Sequence, residues 1–223
     1  MSIRRYFANK DTTITNARKS DGTLATDSNM GAADILEMFS ISGSAAGGTG
    51  VEKSRILINF DTNAISADRT SGLMPASGSV KFVLKLFNAE HEGTTPSAKL
   101  VNDPVIKVGA YPISEAWTEG TGLDMVNYSD KAWLGCSWTQ RTSGQNWTTS
   151  GGDFLGDESP SHNVFDMESG LENLEIDVSD YVEACLQTSA QPYADNIGLL
   201  LKLSGAFEEL AGDSGISLYT KKY

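Results

Sequence analysis

The segment Ser54-Arg55-Ile56-Leu57-Ile58-Asn59-Phe60-Asp61 is an apolar run that follows the glycine-rich residues 47–50 and ends before Thr62-Asn63. Side chains alternate between the two faces of a strand, so Ile56 and Ile58 point one way and Leu57 points the other. Apolar side chains on both faces are typical of a strand that is covered on both sides. Fully burying each of them stabilises a fold by roughly 1.5–3 kcal/mol. We therefore predict a central strand with further sheet around it.

Several other segments alternate β-branched or apolar residues with polar ones, which predicts more strands. The clearest is 80–86, in which Val80, Phe82, Leu84 and Leu86 are separated by Lys81, Val83 and Lys85. Many short strands in a chain of 223 residues predict an all-β sandwich that forms one domain over residues 1–223. The other predicted strands are 11–17, 35–41, 105–111, 174–178, 197–203 and 216–220.

One short α-helix is predicted over about residues 180–188. Ser179 supplies a hydroxyl that can cap free amides, and Asp180 places a negative charge at the positive end of the helix dipole. The long connection 64–79 is predicted to hold a single helical turn, at 65–68. The side chains that would share one face of the predicted helix are Tyr181, Val182, Cys185 and Leu186.

The region of about residues 115–170 differs from the rest of the chain. It carries most of the tryptophans of the protein, and they lie amid Gly, Ser, Thr and Asn with little periodicity. We interpret it as a long loop and as the working surface, since long loops often carry function or assembly contacts. Its aromatic residues have two interpretations. They pack the loop or anchor a subunit contact, or they form a sugar-stacking platform. The residues concerned are Tyr128, Trp133, Trp138 and Trp147; Trp117 is expected in the core.

The formal net charge of −12 argues against nucleic acid as a partner, because affinity for nucleic acid comes mainly from contacts between cations and phosphates. A basic patch near the N-terminus is either a docking site for an acidic neighbour or solvated surface. No segment has the length and apolarity of a membrane span or a signal peptide, and Cys136 and Cys185 form no disulfide framework. We therefore expect no membrane partner and assembly in a reducing cytoplasm. The basic patch consists of Arg4, Arg5, Lys10, Arg18 and Lys19.

No catalytic motif is recognised in the sequence, and we expect a protein that is not an enzyme. The two histidines, His91 and His162, lie in polar loops and belong to no nucleophile or zinc pattern. No cofactor is predicted. Asp21, Asp27 and Asp34 carry the hard oxygen ligands that calcium prefers, but their spacing matches no EF-hand loop, and solvated loop acids are the default interpretation.

Five segments, taken in order along the chain, resemble the DNRLRE-type domains. This resemblance implies a jelly-roll β-sandwich similar to carbohydrate-binding modules, in which a short helix precedes a long inner strand. It implies a fold with more force than a function. The segments are Lys10-Asp11-Thr12-Thr13-Ile14, residues 54–61, Ala116-Trp117-Thr118-Glu119-Gly120, residues 176–182 and Asn196-Ile197-Gly198-Leu199-Leu200-Leu201.

A narrower resemblance links the chain to structural proteins from tailed phages of marine bacteria. It implies a virion component that is assembled in the host cytoplasm and contacts copies of itself and other virion proteins, as a capsid decoration, neck, tail or fibre protein. Such proteins run on past the segment Tyr219-Thr220-Lys221-Lys222, so a last edge strand is expected to be missing or supplied by a neighbour. The other matching segments are Arg4-Arg5-Tyr6, residues 11–17, residues 29–34 and Gly122-Leu123-Asp124-Met125.

Overall fold

The predicted central strand is confirmed. Strand β3 (Gly50–Phe60) pairs antiparallel with β1 (Ala8–Thr15), β2 (Glu37–Gly43) and β10 (Leu199–Leu203). The pairing of β3 with β1 spans most of both strands. Strand β2 pairs with residues 50–53 of β3, and β10 pairs with Ile56, Leu57 and Ile58. The apolar run of the sequence thus lies where the most strands meet.

The structure is a computed structural model, and it describes residues 3–43, 50–89, 106–123, 128, 135–156, 163–167, 172–187, 196–205, 208 and 218–222. Within these residues, seven strands form one antiparallel sheet in the order β11-β2-β3-β10-β5-β8, with β1 also paired to β3. Two two-stranded sheets, β4-β9 and β6-β7, complete the all-β sandwich. The remaining strands are β4 (Val83–Leu86), β5 (Ile106–Pro112), β6 (Gln140–Thr142), β7 (Gln145–Asn146), β8 (Val164–Met167), β9 (Leu174–Asp177) and β11 (Leu218–Lys222).

The seven-stranded sheet has a separate hydrophobic core on each face, as the alternation of Ile56, Leu57 and Ile58 predicted. We call the first the aliphatic core; it joins Ile56 and Ile58 to side chains from β5, β10, β4, β9 and both helices. We call the second the tryptophan core; it joins Leu57 and Leu200 to residues between 111 and 147. The members of the tryptophan core are Ile14, Leu57, Tyr111, Ile113, Trp117, Cys136, Trp138, Trp147 and Leu200.

Two short helices are described over their full length, α1 and α2, rather than the one that was predicted. Helix α1 (Thr62–Thr70) begins after Asp61, whose side chain accepts a hydrogen bond from the Asn63 N–H. It buries only Ile65, so its sequence carries little of the apolar periodicity by which a helix is recognised. Its predicted single turn at 65–68 was therefore too short.

The second helix, α2 (Ser179–Leu186), confirms the predicted position within one or two residues. The predicted role of Ser179 was wrong, because its hydroxyl accepts the Phe82 N–H and donates to the Asp177 carboxylate instead of capping the helix. Arg69 in α1 donates two hydrogen bonds to Glu183 in α2, at 2.7 and 2.8 Å. The two helices are thereby joined beside the aliphatic core, to which both contribute side chains.

The last predicted strand is confirmed as β11, which pairs with β2 from Leu218 opposite Ile41 to Lys222 opposite Glu37. It lies at one end of the seven-stranded order, so it is an edge strand among the described residues. A further strand supplied by a neighbouring subunit stays a prediction.

Candidate functional site

Trp138 and Trp147, two of the residues predicted to form the working surface, are buried. Their exposed fractions are 8% and 5%, and both belong to the tryptophan core with Trp117. The indole N–H of Trp147 donates to the Ser137 carbonyl at 3.0 Å, and the Gly151 N–H donates to the Trp138 carbonyl at 2.7 Å. The Arg55 guanidinium lies 5.1 Å from the centroid of the Trp138 ring. These contacts attach the segment that carries Trp138 and Trp147 to the seven-stranded sheet.

The burial of Trp138 and Trp147 argues against the sugar-stacking interpretation for these two residues, because covered rings offer no open face to a sugar. Trp133 lies outside the described residues. Tyr128 is half-buried, has a positive φ of 52°, and its carbonyl accepts a hydrogen bond from the Ser28 hydroxyl at 2.7 Å. The structure brings Trp138 and Trp147 into one core.

The tryptophan-bearing segment is also held by backbone contacts around Asn29. The Asn29 side-chain amide donates to the carbonyls of Glu119 and Cys136, and its oxygen accepts the Gly122 N–H. Asn29 is fully buried, so these hydrogen bonds are shielded from water. What the sequence presented as one long loop is in these parts a packed layer that includes the β6–β7 hairpin.

A buried ionic cluster, which the sequence analysis missed, lies on the same face of the sheet as the tryptophan core. The Arg55 side chain donates to both carboxylate oxygens of Glu208, at 2.7 and 2.8 Å, and a third bond goes to the Gly151 carbonyl. The Lys202 ammonium lies 3.4 Å from Glu208, over the rings of Tyr111 and Phe154. Arg55 is 8% exposed, and Lys202 and Glu208 are each 2% exposed.

The charges of this cluster decide the ionisation of Glu208. Burial raises the pKa of the carboxyl group, but the hydrogen bonds and charge of Arg55 lower it, with help from Lys202 and Lys53. The net shift is downward, so Glu208 is held as a carboxylate. One sequence signal was available, namely that Arg55 and Lys202 are cations inside strands that are otherwise apolar.

The three predicted calcium residues are not brought together as a metal site. Asp21 accepts hydrogen bonds from the amide and hydroxyl of Thr23, and Asp27 lies 3.6 Å from the Lys19 ammonium. Asp34 is exposed. Among the described residues, no group of three or more His, Cys, Asp or Glu side chains has an arrangement that could hold a metal ion. His91 and His162 lie outside the described residues.

Most of the N-terminal basic patch is engaged within the chain. Arg4 pairs with Asp68 at 2.6 Å, and the Arg18 guanidinium donates to the Gly22 carbonyl at 2.8 Å. Lys10 donates to the Trp117 carbonyl at 2.9 Å with its ammonium 4.2 Å from the ring centroid. Docking of this patch on an acidic neighbour stays a prediction, but these contacts favour a role inside the subunit.

The clearest exposed apolar surface on a regular element is the outer face of β4 and β9. Val83 is 46% exposed and Phe87, just past the end of β4, is 66% exposed. On the same face Lys85 pairs with Glu175, and Lys81 pairs with Asp177 at 3.2 Å. Buried Leu84 and Leu86 alternate with these residues and point into the aliphatic core. This face, Lys81, Val83, Lys85, Phe87, Glu175 and Asp177, is called the outer face below.

Comparisons with protein-family models, with curated proteins and with solved structures gave no significant match. Among the described residues, no helix is long and apolar enough to cross a membrane.

Proposed function

We propose that this chain is a non-enzymatic structural protein that acts through contacts with copies of itself and with other proteins, as a component of a phage virion. The observation that carries the contact role is the outer face, where Val83 and Phe87 are exposed beside the paired strands β4 and β9. Apolar side chains surrounded by charged ones on a fixed backbone are typical of protein–protein contacts. The virion role rests on the resemblance to phage structural proteins.

The alternative function, a carbohydrate-binding module, has less support. Two of its four candidate residues, Trp138 and Trp147, have covered rings. Their hydrogen bonds and the nearby Arg55 guanidinium tie them to the sheet instead. A glycan site would therefore depend on Tyr128 and Trp133.

Two measurements test the proposed function. In the first, phage particles are purified from cultures of the organism that carries the gene and are analysed by mass spectrometry. Detection of this chain at a fixed stoichiometry supports a virion role, and its absence from the particles overturns that role. The purified chain is also studied by light scattering with and without a glycan panel. A defined oligomer that no glycan alters supports a contact role, whereas a monomer that binds one sugar class reverses the assignment.

A further inference from the structure

We propose that the outer face binds the same face of a second copy of this chain, in a two-fold symmetric, face-to-face contact. This inference rests on the proposed function and specifies its partner and surface. It is carried by the arrangement of charge on the outer face, which is complementary to itself.

The charges of the outer face are sorted by strand. The β4 side carries the cations Lys81 and Lys85, and the β9 side carries the carboxylates Glu175 and Asp177. Lys85 stands directly opposite Glu175 in the antiparallel register, and Val83 stands opposite Asp177. All four charged side chains are between 41% and 68% exposed, so each keeps access to a second partner. The result is a positive stripe beside a negative stripe.

Such a pair of stripes matches itself under one particular symmetry. The two-fold axis of this contact runs parallel to the strands and lies in the plane between the two outer faces, above the line midway between β4 and β9. It places β4 of one copy over β9 of the other. Each Lys85 then faces Glu175 of the other copy, and the contact is isologous, with the same patch used on both sides. Val83 and Phe87, at 46% and 66% exposure, supply the apolar surface that becomes buried.

The charge pattern also disfavours the obvious competing arrangement. Antiparallel pairing of β4 with β4 of a second copy, through the strand edge, would place Lys85 beside or close to Lys85 of the other copy. Like charges directly opposite each other destabilise strand pairing. Face-to-face stacking of two copies is therefore favoured over pairing of their strands edge to edge.

The size of the outer face sets the expected strength. Six side chains on two short strands cover much less than the ~800 Å² per partner of a standard interface. We therefore expect a concentration-dependent equilibrium that weakens as salt is added, because exposed ion pairs are screened. In a particle, other contacts hold copies close together and raise their effective concentration.

A charge-reversal variant tests the inference sharply. In K85E/E175K the charges that face each other across the proposed contact change sign, while the net charge and the ion pair within the subunit are kept. Asp177 is left unchanged, because its carboxylate accepts hydrogen bonds from the Ser179 N–H and hydroxyl. This variant should self-associate as wild type does, because its stripes still complement each other. A mixed pair of wild type and variant brings like charges together, so its association should be weaker by about tenfold or more.

Sedimentation velocity over a concentration series measures self-association, and energy transfer between differently labelled chains measures mixing. The matched control is K107E/D166K, which reverses an exposed pair on β5 and β8 and should mix freely with wild type. Phe87→Glu should reduce self-association without changing the thermal melt. A wild-type chain that stays monomeric at every concentration overturns the inference. Oligomers that mix freely with the reversed variant and persist in Phe87→Glu also overturn it. The proposed function would then still be tested by mass spectrometry of the purified particles.

Discussion

Arg55 and Glu208 form a doubly hydrogen-bonded ion pair although they are 153 positions apart in the chain. Arg55 belongs to the central strand β3, and Glu208 follows β10 by five residues. The Ser40 hydroxyl also donates to the Glu208 carbonyl at 2.8 Å, so three parts of the chain meet at this residue. The pair holds Glu208 against the central strand.

Replacing Glu208 by Gln should strongly destabilise the protein. The substitution keeps the shape of the side chain but leaves Arg55 and Lys202 buried without their carboxylate. Breaking a buried pair by removing one partner costs about 3–5 kcal/mol. Urea denaturation measures the loss. The matched control is Glu175→Gln at the exposed Lys85 pair, which should change the free energy of unfolding by less than about 1 kcal/mol. Equal effects of the two substitutions would contradict the assigned role of the buried pair.

The stabilisation from Glu208 should disappear in acid. Its folded-state pKa lies below the ordinary value of 4.5, so its contribution is fully present above that value. The contribution is lost as the pH falls through the lower folded-state pKa, because the carboxylate is then protonated in both states. The free energies of unfolding of wild type and Glu208→Gln should therefore converge as the pH falls below 4.5. A difference that stays constant with pH would show that the charge of Glu208 is not responsible.

Trp147→Ala should lower the free energy of unfolding by about 3–5 kcal/mol, since it removes a large buried side chain and leaves a cavity. It also leaves the Ser137 carbonyl without the indole donor. Phe87→Ala is the matched control, because Phe87 is 66% exposed and its loss should cost no more than about 0.5 kcal/mol. Chemical denaturation of both variants at low protein concentration gives the comparison. A small effect at Trp147 would instead favour an exposed aromatic platform.

Gly31→Ala should destabilise the protein because of a direct overlap. A methyl group at Gly31 would meet the backbone carbonyl of Glu119, which cannot move away as the end of a side chain could. Overpacking of this kind costs about 1–3 kcal/mol or more. At Gly50 the nearest atom among the described residues lies 3.7 Å from an added methyl group, so Gly50→Ala should be neutral. Thermal melts of the two alanine variants distinguish these outcomes; equal melting temperatures would contradict the close packing at Gly31.

The sequence predicted those parts of the fold whose signal is local. Ile56, Leu57 and Ile58 in β3 and the leucines of β10 carry their own pattern of alternation, and both strands formed as expected. Helix α1 was underestimated because Ile65 is its only buried residue. The side-chain role of Ser179 was misassigned because its partner Phe82 lies 97 positions away.

The candidate sites were harder to predict for a related reason. Trp138 and Trp147 lie amid polar residues, and composition alone does not reveal that a sheet face covers them. The pairing of Arg55 with Glu208 depends on the path of the chain after β10, which no periodicity encodes. The alternation of Val83 and Lys85 with Leu84 and Leu86 is visible in the sequence and matches the observed alternation of exposed and buried side chains in β4. The exposed side of this strand is part of the face on which the contact with a second copy is proposed.

The two cores also determine the register in which the strands of the seven-stranded sheet pair. Moving β3 by one residue relative to its partners would exchange the faces of all its side chains. Leu57 would enter the aliphatic core, but so would Arg55, whose charge would then lie among apolar side chains and away from Glu208. Lys202 imposes the same constraint on β10. The buried charges therefore favour the native register of the two central strands over any register shifted by one residue.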